Sequence, residues 1–230
     1  RIGLTAPLDR IKTVTSAYGT GAQSDEARYT YTPNGQIATV TDANGNMTAQ
    51  DYDGFDRART TTFPSPTAPG SINPGDFTQL TYDQNGNVIT RRTRKGEMIV
   101  YQYDALNRPT LKDVGTVVAN VAYGYDLLGA MRFARFGSSG GQGVTHVVDA
   151  LGRLKQETTD LDGVARTVGY DYDVAGRRTK ITYPALTTGG AAGPLFTSVY
   201  DVTGAMKSIA QTTAPASTIA TFTYDLLGAR

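Results

Sequence analysis

Recurring aspartates and a single histidine, His146, are the residues of this chain whose types and spacing could do chemistry, and there is no cysteine. Three kinds of site could draw on them: a metal loop, an acid–base or nucleophilic relay, and a phosphate loop. Asp42-Ala43-Asn44-Gly45-Asn46 and Asp83-Gln84-Asn85-Gly86-Asn87 look at first like calcium loops, but Gly stands at the fourth position instead of the sixth. Their twelfth positions hold Asp53 and Arg94, so the EF-hand ligand pattern fails. A relay or a zinc cluster built on His146 needs a second His or a Cys, and the sequence has neither. Within Val144-Thr145-His146-Val147-Val148 the histidine reads as a packed or hydrogen-bonded strand residue. The glycine groups around Gly19 and Gly140 lack the strand, helix and Lys of a phosphate loop. Asn46-Met47-Thr48 is a formal N-glycosylation sequon, informative only for a chain secreted through a eukaryotic pathway. The sequence therefore offers no catalytic residue, no cofactor-binding residue, no metal ligand and no cofactor.

What the aspartates share is a turn. The full Tyr-Asp-x-x-Gly pattern is carried by Tyr82, Asp83 and Gly86; Tyr125, Asp126 and Gly129; Tyr172, Asp173 and Gly176; Tyr200, Asp201 and Gly204; and Tyr224, Asp225 and Gly228. Degenerate copies begin at Tyr31, Thr41, Tyr52, Tyr103 and Val148, the last two contributing Tyr103, Asp104 and Asn107, and Asp149 and Gly152. Asp at the first position accepts hydrogen bonds from backbone N–H groups two residues on, the middle residues sit in the right-handed helical region, and the fourth takes φ > 0. The exceptions support this: the copies without Gly at the fourth position have Asp56 and Asn107, the types that tolerate that region best after Gly. The rule is conformational, and a catalytic Asp would not recur in every copy.

Each turn needs two strands to hold it. Pairs two apart share a face, as in Tyr29 and Tyr31, Leu80 and Tyr82, Tyr101 and Tyr103, Tyr123 and Tyr125, Tyr170 and Tyr172, and Phe222 and Tyr224. An apolar residue tends to sit two beyond the Gly, as in Ile37, Met47, Val88, Met131, Leu154 and Met206, and opposite-strand neighbours at such positions can pack on the tyrosines. From Asp83 on, first-position aspartates follow at intervals of 21 to 28 residues, about one hairpin and its return. No stretch has sustained helical periodicity. The fold class is all-β: an array of antiparallel hairpin repeats forming a curved or spiralling sheet. Residues 1–28 are expected to be an incoming strand and loop region and 29–230 the array, with loop insertions near 63–76 and 184–194 and shorter ones at Gly137–Gly143 and Ala214–Ser217.

With 39% hydrophobic and 19% charged residues the chain is expected to be an ordered, folded assembly. Lys and Arg number 22 against 21 for Asp and Glu, which gives no signal for nucleic acid, and no apolar run approaches a membrane span. The basic run Arg91-Arg92-Thr93-Arg94-Lys95 follows a turn and reads as a solvated hairpin edge. The chain starts without Met and stops in a turn whose return strand is missing, so it reads as an excerpt of a longer polypeptide.

Tyr82-Asp83-Gln84-Asn85-Gly86-Asn87-Val88-Ile89 and Val148-Asp149-Ala150-Leu151-Gly152-Arg153-Leu154 resemble the tyrosine-aspartate (YD) repeats of Rhs proteins, found also in Tc toxin B and C components and in teneurins. The resemblance covers about Tyr29 to Arg230. It implies a secreted or cell-surface bacterial polypeptide, a repeat strip spiralling into a hollow shell, and a C-terminal toxin enclosed by it. The partner so implied is the remainder of the same polypeptide. The Asp- and Pro-containing self-cleavage motif of such shells has no counterpart here, so no residue is carried over as catalytic. A different reading, an extracellular adhesion or carbohydrate-binding module in which exposed tyrosines on the sheet or the Pro-Gly loops contact a partner such as a cell-surface glycan, stays open at this point.

Overall fold

Short alternating segments punctuated by turns cannot extend a helix, and the computed structural model of the chain shows nineteen β-strands and no helix among its described residues. Those residues are 2–4, 10–115, 119–185, 193–213 and 216–225. The chain divides into two units, Arg1–Val118 and Ala119–Arg230. In the first lie β1 (Ile2–Leu4), β2 (Ile11–Ser16), β3 (Ser24–Tyr31), β4 (Ile37–Asp42), β5 (Met47–Tyr52), β6 (Ala58–Pro64), β7 (Ile72–Tyr82), β8 (Val88–Arg92), β9 (Met98–Tyr103) and β10 (Pro109–Asp113). Each pairs antiparallel with the next. The second holds β11 (Val121–Tyr125), β12 (Met131–Phe136), β13 (Gly143–Val148), β14 (Leu154–Asp160), β15 (Arg166–Tyr172), β16 (Arg178–Thr182), β17 (Leu195–Tyr200), β18 (Met206–Gln211) and β19 (Ser217–Thr221), paired in the same way.

The residue two beyond the fourth turn position does face the tyrosine: Tyr31 opposes Ile37, Tyr82 opposes Val88, Tyr125 opposes Met131 and Tyr200 opposes Met206. One step further from the turn the register shifts. Thr81 opposes Thr90, which leaves Ile89 as an extra residue, and the same shift recurs before Tyr31, Tyr52, Tyr103, Tyr125, Val148, Tyr172 and Tyr200. Every one of these hairpins thus carries a bulge at the same place, and a bulge bends its strand and raises the local twist.

Within each unit the strands make one layer, so both faces of the sheet are open to solvent. Among the described residues no hydrophobic side chain is fully buried. Strand β3 shows the compromise: its exposure alternates residue by residue, with Asp25, Ala27, Tyr29 and Tyr31 on the half-covered face.

Three expectations change. The loop expected near 63–76 is confined to residues 65–71, because β7 begins at Ile72 and takes in Pro74 and Gly75 at a bulge, where a missing N–H is tolerated. The basic run contains another turn: Thr93 N donates to Glu97 O (2.9 Å), Gly96 N donates to Thr93 O (2.9 Å), and Gly96 has φ +88°. Thr replaces Asp and Tyr is absent there, which hid it. Residues 11–28 are more than an incoming segment, since β2 and β3 form a hairpin of the same meander. Residues 186–192, 214–215 and 226–230 lie outside the described residues, and with them most of the 184–194 insertion, part of Ala214–Ser217, and Gly228.

Candidate functional site

The repeated unit is the candidate site, and Asp83 shows its chemistry. Asp83 N donates to Asn87 O (3.0 Å) and Gly86 N to Asp83 O (3.2 Å), closing the turn. The Asp83 carboxylate then accepts from Asn85 N (2.9 Å), from Asn87 N (2.8 Å) and from Asn87 Nδ2 (2.8 Å). Equivalent backbone bonds to the carboxylate form at Asp42, Asp53, Asp104, Asp126, Asp149, Asp173 and Asp201. At the fourth position φ is +88° for Gly86, +91° for Gly129, +75° for Gly152, +81° for Gly176 and +94° for Gly204. Asp56 (+63°) and Asn107 (+61°) occupy the same region. The donors hold the carboxyls of Asp42, Asp53, Asp83, Asp104, Asp149, Asp173 and Asp201 below the usual carboxylate range. For Asp83 the largest cause is the Asn87 side chain, for Asp53, Asp104 and Asp149 the guanidinium of Arg57, Arg108 and Arg153, and for Asp173 the backbone N–H of Arg177. Carboxylates so occupied are poor proton acceptors.

Two further parts of the unit join one hairpin to the next. The tyrosine before the turn does more than pack: its hydroxyl donates to a backbone carbonyl of the preceding hairpin. These rungs run from Tyr52 to Ile37 O (2.9 Å), Tyr82 to Ala58 O (2.6 Å), Tyr103 to Val88 O (2.8 Å), Tyr172 to Leu154 O (2.8 Å) and Tyr200 to Arg178 O (3.0 Å). Tyr31 and Tyr224 bond in the same way to Ile11 O and Met206 O. From Ile37 on, the acceptor is always the residue two beyond the fourth turn position, the one just before the bulge. Burial also pushes the Tyr103 phenol above its ordinary value, helped by Tyr101 and Asp83.

The second part is an arginine that the sequence reading passed over. Arg57, Arg153 and Arg177 follow the fourth turn position, and each Nε donates to the carboxylate of its own turn at 2.7 Å. Their Nη1 atoms reach the first-position carbonyl of the next turn on the same edge, at Asp83 (3.2 Å), Asp173 (3.2 Å) and Asp201 (3.4 Å). The same guanidiniums stand over the next tyrosine ring, at 4.4 Å for Tyr82, 4.7 Å for Tyr172 and 4.8 Å for Tyr200. The signal that could have found them is Arg immediately after the fourth position at 57, 108, 153 and 177. Where Arg is missing, an asparagine can bridge: Asn34 Nδ2 donates to Asp56 Oδ1 (2.8 Å), and Asn85 Nδ2 (2.9 Å) and Asn87 Nδ2 (2.8 Å) both donate to Asn107 Oδ1.

Other candidates have local partners. His146 Nε2 lies 3.2 Å from Glu157 Oε2 across the β13–β14 ladder. The arginines of the basic run stack on aromatic rings, Arg92 over Phe77 (3.8 Å) and Arg94 over Phe63 (3.9 Å), and Arg94 pairs with Asp76. The sequon residue Asn46 donates its Nδ2 to Asp42 Oδ2 (2.8 Å). Among the described residues no group of His, Asp or Glu is placed to hold a metal, and no helix is long and apolar enough to cross a membrane.

One turn, one bulge, one tyrosine rung and one bracket, repeated along a single-layer meander, define a β-hairpin repeat protein. The RHS Repeat family profile matches residues 31–67, 82–118 and 148–188, half of the chain in all, and the chain belongs to that family. No curated protein matches it. Its fold is that of part of several solved structures. The crystal structure of TcdB2-TccC3-Cdc42 superposes with a TM-score of 0.69 at 14% identity, over 94% of this chain and 13% of that one. For the crystal structure of TcdB2-TccC3 the values are 0.68, 15%, 88% and 12%. The structure of a Photorhabdus luminescens Tc holotoxin pore gives 0.65, 16%, 88% and 11%. The chain thus spans no more than 13% of the length of these relatives.

Proposed function

We propose that this chain is a non-catalytic structural segment of an Rhs/YD-repeat shell, which encloses and helps deliver a C-terminal toxin of the same polypeptide in a secreted bacterial system. The observation that carries the reading is the single layer: a sheet with no buried hydrophobic side chain among its described residues is built as a wall with two sides. In this reading the turn residues, including Tyr82, Asp83, Gly86, Asp149, Gly152, Tyr172, Asp173 and Gly176, build the repeat, and none does chemistry. Residues 29–230 are then one array interrupted by loops. Fold likeness to TcdB2-TccC3 supports placing the chain in a larger assembly of this kind. The adhesion alternative is weakened by the rungs, because the tyrosine hydroxyls that would meet a glycan already donate to backbone carbonyls.

The test is limited proteolysis of the full-length parent polypeptide. The region C-terminal to the repeats should resist protease while the array is intact and become cleavable when residues 29–230 are deleted. Equal cleavage with and without the array would overturn the shell reading.

A further inference from the structure

Three Asn-Gly steps, Asn34-Gly35, Asn44-Gly45 and Asn85-Gly86, occupy the third and fourth positions of their turns. Asn-Gly is the dipeptide most open to spontaneous deamidation, because Gly puts no side chain in the way of its own backbone nitrogen. That nitrogen loses its proton and attacks the Asn Cγ, ammonia leaves, and water opens the resulting succinimide to Asp or isoaspartate. One water is consumed, one ammonia is released, and nothing is oxidised or reduced.

The three steps share one turn geometry, although the Arg10 guanidinium also lies against Gly35 and Pro69 against Gly45. All three asparagines are exposed, and all three glycines have φ > 0: +94°, +81° and +88°. In each, the attacking nitrogen donates to the first-position carbonyl: Gly35 N to Thr32 O (2.9 Å), Gly45 N to Asp42 O (3.0 Å) and Gly86 N to Asp83 O (3.2 Å). They differ in the amide that must leave. Asn34 Nδ2 is held by Asp56 (2.8 Å) and Asn85 Nδ2 by Asn107 (2.9 Å), both from the next turn on the same edge. Asn44 belongs to the β4–β5 turn, and among the described residues only its backbone N–H is engaged, by Asp42 Oδ1 (2.9 Å). Gly70 N donates to Gly45 O (2.7 Å), which restrains the carbonyl and leaves the attacking nitrogen and the Asn44 amide as they are.

We propose that Asn44 is the site of spontaneous deamidation in the folded chain, and that the bonds from Asn34 to Asp56 and from Asn85 to Asn107 protect the other two Asn-Gly steps. Isoaspartate at 44 lengthens the backbone by one methylene inside the turn that Asp42 closes. Either product adds a negative charge to a chain whose formal net charge is +1.

Peptide mapping by mass spectrometry, with the folded chain incubated at neutral pH and body temperature, measures all three rates in one sample. Asn44 should convert about two- to tenfold faster than Asn34 or Asn85, the factor that corresponds to one net hydrogen bond. In urea the advantage of Asn44 should disappear. Asp56→Gly should speed conversion at Asn34 alone, and Asn107→Gly at Asn85 alone; both variants place Gly where φ is already positive, so the turns remain compatible with folding. Equal rates in the folded chain, conversion led by Asn34 or Asn85, or no acceleration in the two glycine variants would each overturn the proposal.

Discussion

Neighbouring turns are tied together differently around Thr32 and Asp53 than around Asp149 and Asp173. In the first pair, the third residue of one turn, Asn34, reaches a side chain on the fourth residue of the next, Asp56. In the second, the residue after one turn, Arg153, reaches a backbone carbonyl of the next, Asp173 O. The two devices make opposite demands. An asparagine bridge needs a side-chain acceptor at a position with φ > 0, so Gly is given up; an arginine bracket takes a carbonyl that every residue has, so Gly stays. The pattern holds at the other bridges too: Asn85 and Asn87 meet Asn107, whereas Arg57 and Arg177 lead to turns that keep Gly86 and Gly204. The two losses of Gly at the fourth position, Asp56 and Asn107, thus each coincide with a bond to the preceding turn.

The comparison breaks most sharply at the fourth position. Gly86→Val puts a β-branched residue at φ +88° and should cost about 1–2 kcal/mol or more, seen as a lower melting temperature of the whole chain. Asp83→Asn keeps the acceptor for Asn85 N and Asn87 N and loses the bond from Asn87 Nδ2, so it should melt lower than the parent but well above Gly86→Val; equal melting of the two variants would contradict the turn account. Next comes the bracket. Arg177→Met removes the pair with Asp173, the bond to Asp201 O and the stack on Tyr200, and should cost about 1–2 kcal/mol in urea unfolding. Tyr172→Phe keeps the ring and loses one rung, a cost of about 1 kcal/mol by the same measurement, and an unchanged midpoint would show the hydroxyl to be idle. The smallest effect belongs to the asparagine bridge: a double-mutant cycle of Asn34→Ala and Asp56→Gly should show coupling of about 0.5–1 kcal/mol.

Acid should weaken both kinds of turn in the same direction. Asp42, Asp53, Asp83, Asp104, Asp149, Asp173 and Asp201 all ionise more readily in the folded chain than unperturbed Asp. Because the folded values are the lower ones, their stabilisation is fully present above the unfolded value near 4 and is lost as pH falls through the folded values. Melting temperatures should thus be flat down to about pH 5 and fall below about pH 4. A rise in melting temperature on acidification would refute the assignment of these carboxylates as acceptors.

Much of this is legible in the sequence, because a turn is a local object. Positive φ at Asp56 and Asn107 follows from aligning their copies with those that have Gly at the fourth position. Bonds between hairpins were not legible. The Tyr172 hydroxyl meets a carbonyl 18 residues away, and Arg153 a carbonyl 20 residues away, so their partners depend on which hairpins lie side by side. The Thr93 turn was missed because its sequence keeps only the Gly of the motif, while its backbone bonds are the same. Pro74 misled for the opposite reason: proline reads as a loop signal, and the bulge in β7 gives it a place within a strand.

The tyrosine rung also gives the array a polarity. A hairpin with tyrosine before its turn supplies a hydroxyl donor to the hairpin before it, and the residue two beyond its fourth turn position offers a carbonyl acceptor to the hairpin after it, as in the bond from Tyr103 to Val88 O. Any run of such units therefore has two chemically distinct ends, one offering vacant acceptors and the other vacant donors. Growth by adding whole hairpins has a direction, and two runs can be spliced head to tail but not head to head.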